Sequence, residues 1–175
     1  MPIPLPNIIK NFYNSENLDF EKICESIRNN QTIIDELVNY SVTNNKDAWV
    51  CAWILSKYSQ KYNNSLSKYL SFYVENLNKI QKDGQLRQIL IILQNIEIPD
   101  INIINIFDIC ILIFQNNKMQ SSLRCNAFYL LLKICKKYNE LFSEVNIIFE
   151  LCKNDLSKGI RQSLVKEIER YNKKN

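Results

Sequence analysis

The sequence predicts an all-α fold, an α-α superhelix of about nine helices repeating with a period of about 37 residues. Three observations carry this. The dipeptides Leu86-Arg87, Leu123-Arg124 and Ile160-Arg161 recur at one spacing of 37, and one step earlier the same slot holds Trp49-Val50. The chain of 175 residues has only two glycines and four prolines, and no proline interrupts a helix-length run, which fits helices far better than turn-rich sheets. Apolar columns also stay aligned at the same offset. They are Leu37, Val74, Ile111 and Ile148; Tyr40, Leu77, Phe114 and Leu151; Trp49, Leu86, Leu123 and Ile160; Trp53, Leu90, Ala127 and Leu164; and Ile54, Ile91, Phe128 and Val165. In stacked repeats no unit buries its apolar face alone, so such columns mark the shared core.

The elements follow in order. Pro2, Pro4 and Pro6 favour a polyproline-like backbone, so residues 1–17 read as an irregular N-terminal arm. Asn17 can cap a lead helix over 18–28, apolar at Leu18, Ile23, Cys24 and Ile27. Four helix pairs come next, and 18–175 reads as one repeat domain. First members (A helices) are expected over 31–42, 65–80, 102–114 and 140–153. Second members (B helices) are expected over 46–59, 85–95, 122–137 and 158–171, with Asn44-Asn45, Asp83-Gly84, Ser121-Ser122 and Ser157 offering N-cap side chains. Asn63-Asn64 and Pro99-Asp100 separate units. The A and B helices of the third pair are apolar nearly all round, which predicts that they lie between neighbours as the interior.

Composition excludes much. An apolar share of 46% with 23% charge is globular. No histidine occurs, which removes histidine triads, histidine-ligated zinc and histidine acid/base chemistry. Cys24, Cys51, Cys110, Cys125, Cys135 and Cys152 form no C-x-x-C pair or metal spacing; they read as core thiols of a reducing, cytoplasmic compartment. The apolar run at 101–114 is too short to span a bilayer. No phosphate loop, metal cluster, nucleophile motif or acid/base carboxylate pair is present. The expectation is therefore a chain with no catalytic residues, cofactor, metal or membrane attachment, and no enzymatic activity.

Paired helices with a Leu-Arg or Ile-Arg near the start of the second resemble HEAT repeats, over residues 31–171. The resemblance implies that Arg87, Arg124 and Arg161 form a ladder between neighbouring B helices, bonded to an acid or a carbonyl, with Asp83 a candidate acid and Val50 a departure. The run Lys46-Asp47-Ala48-Trp49, with Lys82-Asp83-Gly84-Gln85-Leu86-Arg87, is also similar to a group of small bacterial helical-repeat proteins. Some of these carry an adenylosuccinate lyase name, but this chain has neither the serine loop nor the histidines of that chemistry.

Three sets of residues are candidate sites. Trp49 and Trp53 lie one turn apart and could form an aromatic platform, or sit in the core. Arg87, Arg124 and Arg161 could line a groove for phosphates or carboxylates, or form the internal ladder. Lys158, Arg161, Lys166, Arg170, Lys173 and Lys174 make the C-terminal stretch basic, as a phosphate footprint or a polar end cap. The leading expectation is a scaffold for protein–protein interaction, with Tyr58, Tyr62 and Tyr129 as exposed anchors. A second is nucleic-acid binding, through resemblance to the HEAT-like alkylpurine DNA glycosylases. Those place an Asp one turn after a Trp, where this chain has Trp53 after Trp49. A third is a structural subunit of a larger assembly. The net charge of +4 is mild for a dedicated nucleic-acid binder.

Overall fold

The computed structural model describes residues 5–14 and 20–173. Among the described residues there are ten helices and no strand. The chain divides into two compact units, Met1–Ile96 and Glu97–Asn175, with the boundary inside the segment that the sequence reads as one repeat domain.

In the first unit, α1 (Leu5–Asn14) and α2 (Phe20–Arg28) precede α3 (Gln31–Ser41), α4 (Ala48–Lys61), α5 (Leu70–Asn76) and α6 (Asp83–Gln94). The expected irregular arm is helical over α1. Pro6 sits in the first turn, where a missing N–H removes no helical bond, and Ile8 is buried to 1% exposure. The expected Asn17 cap lies outside the described residues. The single A helix expected over 65–80 is instead α5 flanked by 3-10 turns at Ser67–Tyr69 and Leu77–Lys79. Asn64 holds the preceding turn at φ 62°, a left-handed conformation that asparagine tolerates better than most residues; its N–H donates to the Asn95 carbonyl at 3.0 Å.

Helix α4 packs against α3 on one side and α6 on the other. Their contact surface is apolar, with Leu37, Ile54, Leu55, Ile89 and Leu93 fully buried. Polar cross-links run through it, among them a bond of 2.7 Å from the Ser56 hydroxyl to Gln88 Oε1. The Gln85 amide, itself buried, donates to the Ser41 carbonyl at 2.8 Å and to the Thr43 carbonyl at 2.9 Å. These are carbonyls of the last turn of α3 and the residues after it, which would otherwise lack partners.

In the second unit, α7 (Asp100–Gln115) pairs with α8 (Ser121–Cys135), and α9 (Phe142–Cys152) and α10 (Lys158–Asn172) follow. Helix α9 also packs on α7 and α8, and α10 packs on α8. Phe114, Phe128 and Phe149, one from each of three helices, form a chain of rings with centroids 4.8 and 5.4 Å apart. Burying such rings is the main stabilising term here, about 1.5–3 kcal/mol per side chain. Tyr171 ties α10 down by donating to the Cys135 carbonyl at 2.9 Å, and the Tyr129 and Ser163 hydroxyls share a bond of 2.8 Å.

Two expectations need correction. None of the four B helices has a side-chain N-cap bond; α4 starts later than expected, behind Asp47, and α6 begins at Asp83 itself. Asn30 does cap an A helix, accepting from the Ile33 N–H at 3.3 Å. The A columns also fail at the last step, since Leu151, aligned with the buried Phe114, is 73% exposed. The buried set of α9 falls two residues nearer: Val145, Ile148 and Phe149 take the places of Cys110, Ile113 and Phe114. Two residues turn a helix by about 200°, enough to bring Leu151 to the outside.

Candidate functional site

The sequence makes α7 apolar all round and so predicts burial on all sides. The structure buries one side only. Ile103, Ile106, Phe107, Cys110, Ile113 and Phe114 face the core. On the opposite side Ile101 is 87% exposed, Ile104 72% and Leu112 66%. Spacings of three and eight residues keep these three on one stripe, with Asp108 between Ile104 and Leu112. The neighbouring A helix does the same: Ile147 is 60% and Leu151 73% exposed, one turn apart on α9. Five large aliphatic side chains thus stand in water on two packed helices, beyond what scattered exposure of single residues explains.

The fold does not require this. The exposed residues of the first-unit helices α3 and α5 are instead polar: Gln31, Thr32, Glu36 and Asn39 on α3, and Ser71 and Glu75 on α5.

The face also has a charge. Neither α7 nor α9 contains a lysine or arginine, whereas together they carry Asp100, Asp108, Glu144 and Glu150. Asp100 pairs with Lys137 and Glu150 with Lys153. The Lys137 hydrogen bond holds the Asp100 carboxyl below its ordinary pKa.

The three arginines stand in different surroundings. Arg124 is 1% exposed; its Nε donates to the Phe114 carbonyl at 2.7 Å, and its guanidinium lies 5.6 Å from the Phe114 ring centroid. Burial pushes the Cys152 thiol up in pKa while the Arg124 charge pulls it down; the hydrogen bond of Arg124 ties α8 to α7. Arg87 is half-buried on α6. Arg161 is half-buried too, on the wall of an open groove of about 670 Å³ between α9 and α10. That groove mixes both signs of charge, with Lys153, Arg161 and Lys166 opposite Glu150 and Glu169.

The tryptophan pair is partly covered. Trp49 is 37% exposed and Trp53 half-buried. Phe12 of α1 meets both edge-on, at 5.4 and 5.3 Å between centroids, and Phe20 of α2 meets Trp53 at 5.8 Å. The Tyr13 hydroxyl donates to Asp47 Oδ1 at 3.0 Å. The platform is therefore built, with α1 lying against it. Of the expected tyrosine anchors, Tyr58 is 4% exposed, Tyr62 is half-buried against the Tyr58 ring, and Tyr129 is held by Ser163. None of the three stands free as an anchor.

A second, smaller cavity of about 120 Å³ is lined by Glu97, Ile98, Ile103, Lys133, Ile134 and Lys137. Burial lowers the Lys133 pKa to about 8 against the opposing pull of Glu97. All six cysteines are buried and free. Among the described residues no group of side chains has the make-up of a metal site, and no helix is long and apolar enough to cross a membrane.

Helix after helix along the described residues, with no strand among them, defines the class: an all-helical repeat protein. The chain matches the HEAT repeat domain over residues 13–170 and belongs to that family, the match running through the boundary between the two units. No curated protein and no solved structure matches it.

Proposed function

We propose that this chain is a non-enzymatic HEAT-repeat scaffold that binds another protein, and that the outer face of α7 and α9 is its contact surface. HEAT repeat domains are generally non-catalytic scaffolds, and the family supports that much of the reading. The observation that carries the rest is the exposure of Ile101, Ile104, Leu112, Ile147 and Leu151, whereas the exposed residues of the first-unit helices α3 and α5 are polar. Arg124 belongs to the internal ladder, and Arg161 to a groove of mixed charge. Trp49 and Trp53 serve as a packing surface for α1.

Nucleic-acid binding draws less support. Arg170 is paired with Glu167, so the basic stretch is partly neutralised. Duplex DNA titrated by anisotropy at low salt is expected to stay flat. The direct test of the scaffold reading is a photo-cross-linking amino acid placed at Ile104 or Leu151 in cells, with Glu36 as the control. Discrete adducts at the first two positions and none at Glu36 are expected. Adducts absent from both, or equal at all three, would overturn the reading.

A further inference from the structure

We propose that the occupant of the α7/α9 face is a basic amphipathic helix of a partner protein. The inference rests on the reading above, that the face is a protein interface, and adds the chemistry of what sits there.

Shape comes first. Two packed helices lie about 8–10 Å apart and leave a shallow groove between their exposed stripes. The α7 stripe runs from Ile101 to Leu112, eleven residues or about 16 Å at 1.5 Å per residue. That length suits about three turns of a docked helix, anchored by residues at i, i+3, i+4 and i+7.

Charge then selects the partner. The groove is acidic on both helices and contains no basic residue of its own. Asp108 stands within the apolar stripe of α7, and Glu144 lies one turn before Ile147; both are exposed. A ligand with an apolar stripe flanked by lysines or arginines would bury the first against Ile104, Leu112, Ile147 and Leu151 and bring the second to these carboxylates. Like charge disfavours an acidic helix, an anionic lipid surface and nucleic acid. It also disfavours a second copy of the chain meeting face to face, since a two-fold contact sets the same carboxylates against one another.

The probe is a synthetic amphipathic helix of about 18 residues, leucines on one face and lysines on the other, fluorescein-labelled and titrated by anisotropy. Two relatives serve as controls: one with glutamates for the lysines, and one of the same composition with the leucine stripe scattered. The leucine–lysine peptide is expected to bind, and both controls to bind at least tenfold more weakly. The pair Leu112→Ser with Leu151→Ser should weaken binding tenfold or more. Asp108→Lys with Glu144→Lys should weaken it by a similar factor and flatten its salt dependence. These positions are exposed, so the variants are expected to keep the wild-type melting temperature.

Equal binding of the lysine and glutamate peptides, lost with the serine variants, would overturn the basic partner while leaving the interface standing. No binding of the lysine peptide overturns the inference, and the cross-linking experiment then decides whether the interface reading falls with it. A dimer in sedimentation equilibrium that the serine variants abolish would assign the face to a second copy. Capture by phosphatidylserine vesicles, lost with the same variants, would assign it to lipid. Either result overturns the proposal.

Discussion

Arg124 shows at the scale of one residue why a recurring arginine cannot be read as a binding column. A guanidinium buried to 1% exposure and bonded to a main-chain carbonyl ties α8 to α7 and is closed off from solvent. Truncation leaves the Phe114 carbonyl without its donor and opens a large cavity, so Arg124→Ala is expected to lose about 3 kcal/mol in urea unfolding. Arg124→Met restores the packing without the charge and should stay within about 1.5 kcal/mol of wild type. Lys133 gives a second residue-scale prediction. Its folded pKa of about 8 lies below the ordinary 10.5, so between those values the unfolded chain holds a proton that the folded chain has released. Stability contributed by this group therefore rises with pH across that window and is level below it. The urea midpoint of the wild type, measured from pH 8 to 10 against Lys133→Met, should climb relative to the variant. A difference that is flat in pH would mean the amine is solvated.

At the scale of elements, α1 is where local signals and tertiary context part company. Alternating prolines argue for extended chain, yet Pro6 occupies the one helical turn that tolerates it, and Ile8 and Phe12 fall at helical spacing onto α3 and α4. The sequence did not show that the tryptophans would be a surface for this helix: Phe12 stands one 37-residue period before Trp49, but the prolines before it favour an extended arm. Phe12→Ala should shift tryptophan emission to the red, raise iodide quenching and lose about 1–3 kcal/mol. Unchanged emission would mean that α1 does not lie on the pair in solution. Apart from 65–80, where one expected helix is the short α5 between two 3-10 turns, the remaining elements were legible to within a few residues at their ends from apolar periodicity alone. Leu86, Leu123 and Leu164 of the B columns are buried, whereas Trp49 and Val165, expected in the same core columns, are exposed. The site was legible only in half. An all-round apolar α7 was visible in the sequence, but periodicity cannot tell a helix buried by its own chain from one left open for a partner. The outward turn of Leu151 depends on a two-residue change of register that only the packing of α9 reveals.

Across the whole molecule, the net charge of +4 conceals an acidic, apolar A-helix face in the second unit beside the basic helix α10. A surface of this kind adds nothing to folding, and that separates it from the core by experiment. Ile104→Lys combined with Leu151→Lys should leave the melting temperature within about 2 °C of wild type, because exposed substitutions change stability by only about 0.5 kcal/mol. The same variant should lose much of the fluorescence that the native protein induces in anilinonaphthalene sulfonate, a dye that reports exposed apolar surface. Phe114→Ala and Phe149→Ala, one helix face away on the same elements, should each lose about 3–5 kcal/mol. If Leu151→Lys instead destabilised as much as Phe149→Ala, the side chain would have to be buried within the chain itself, and the columns spaced at 37 residues would hold through to α9. A flat melting temperature with falling dye signal means that the apolar residues of α7 and α9 are kept for something other than the fold.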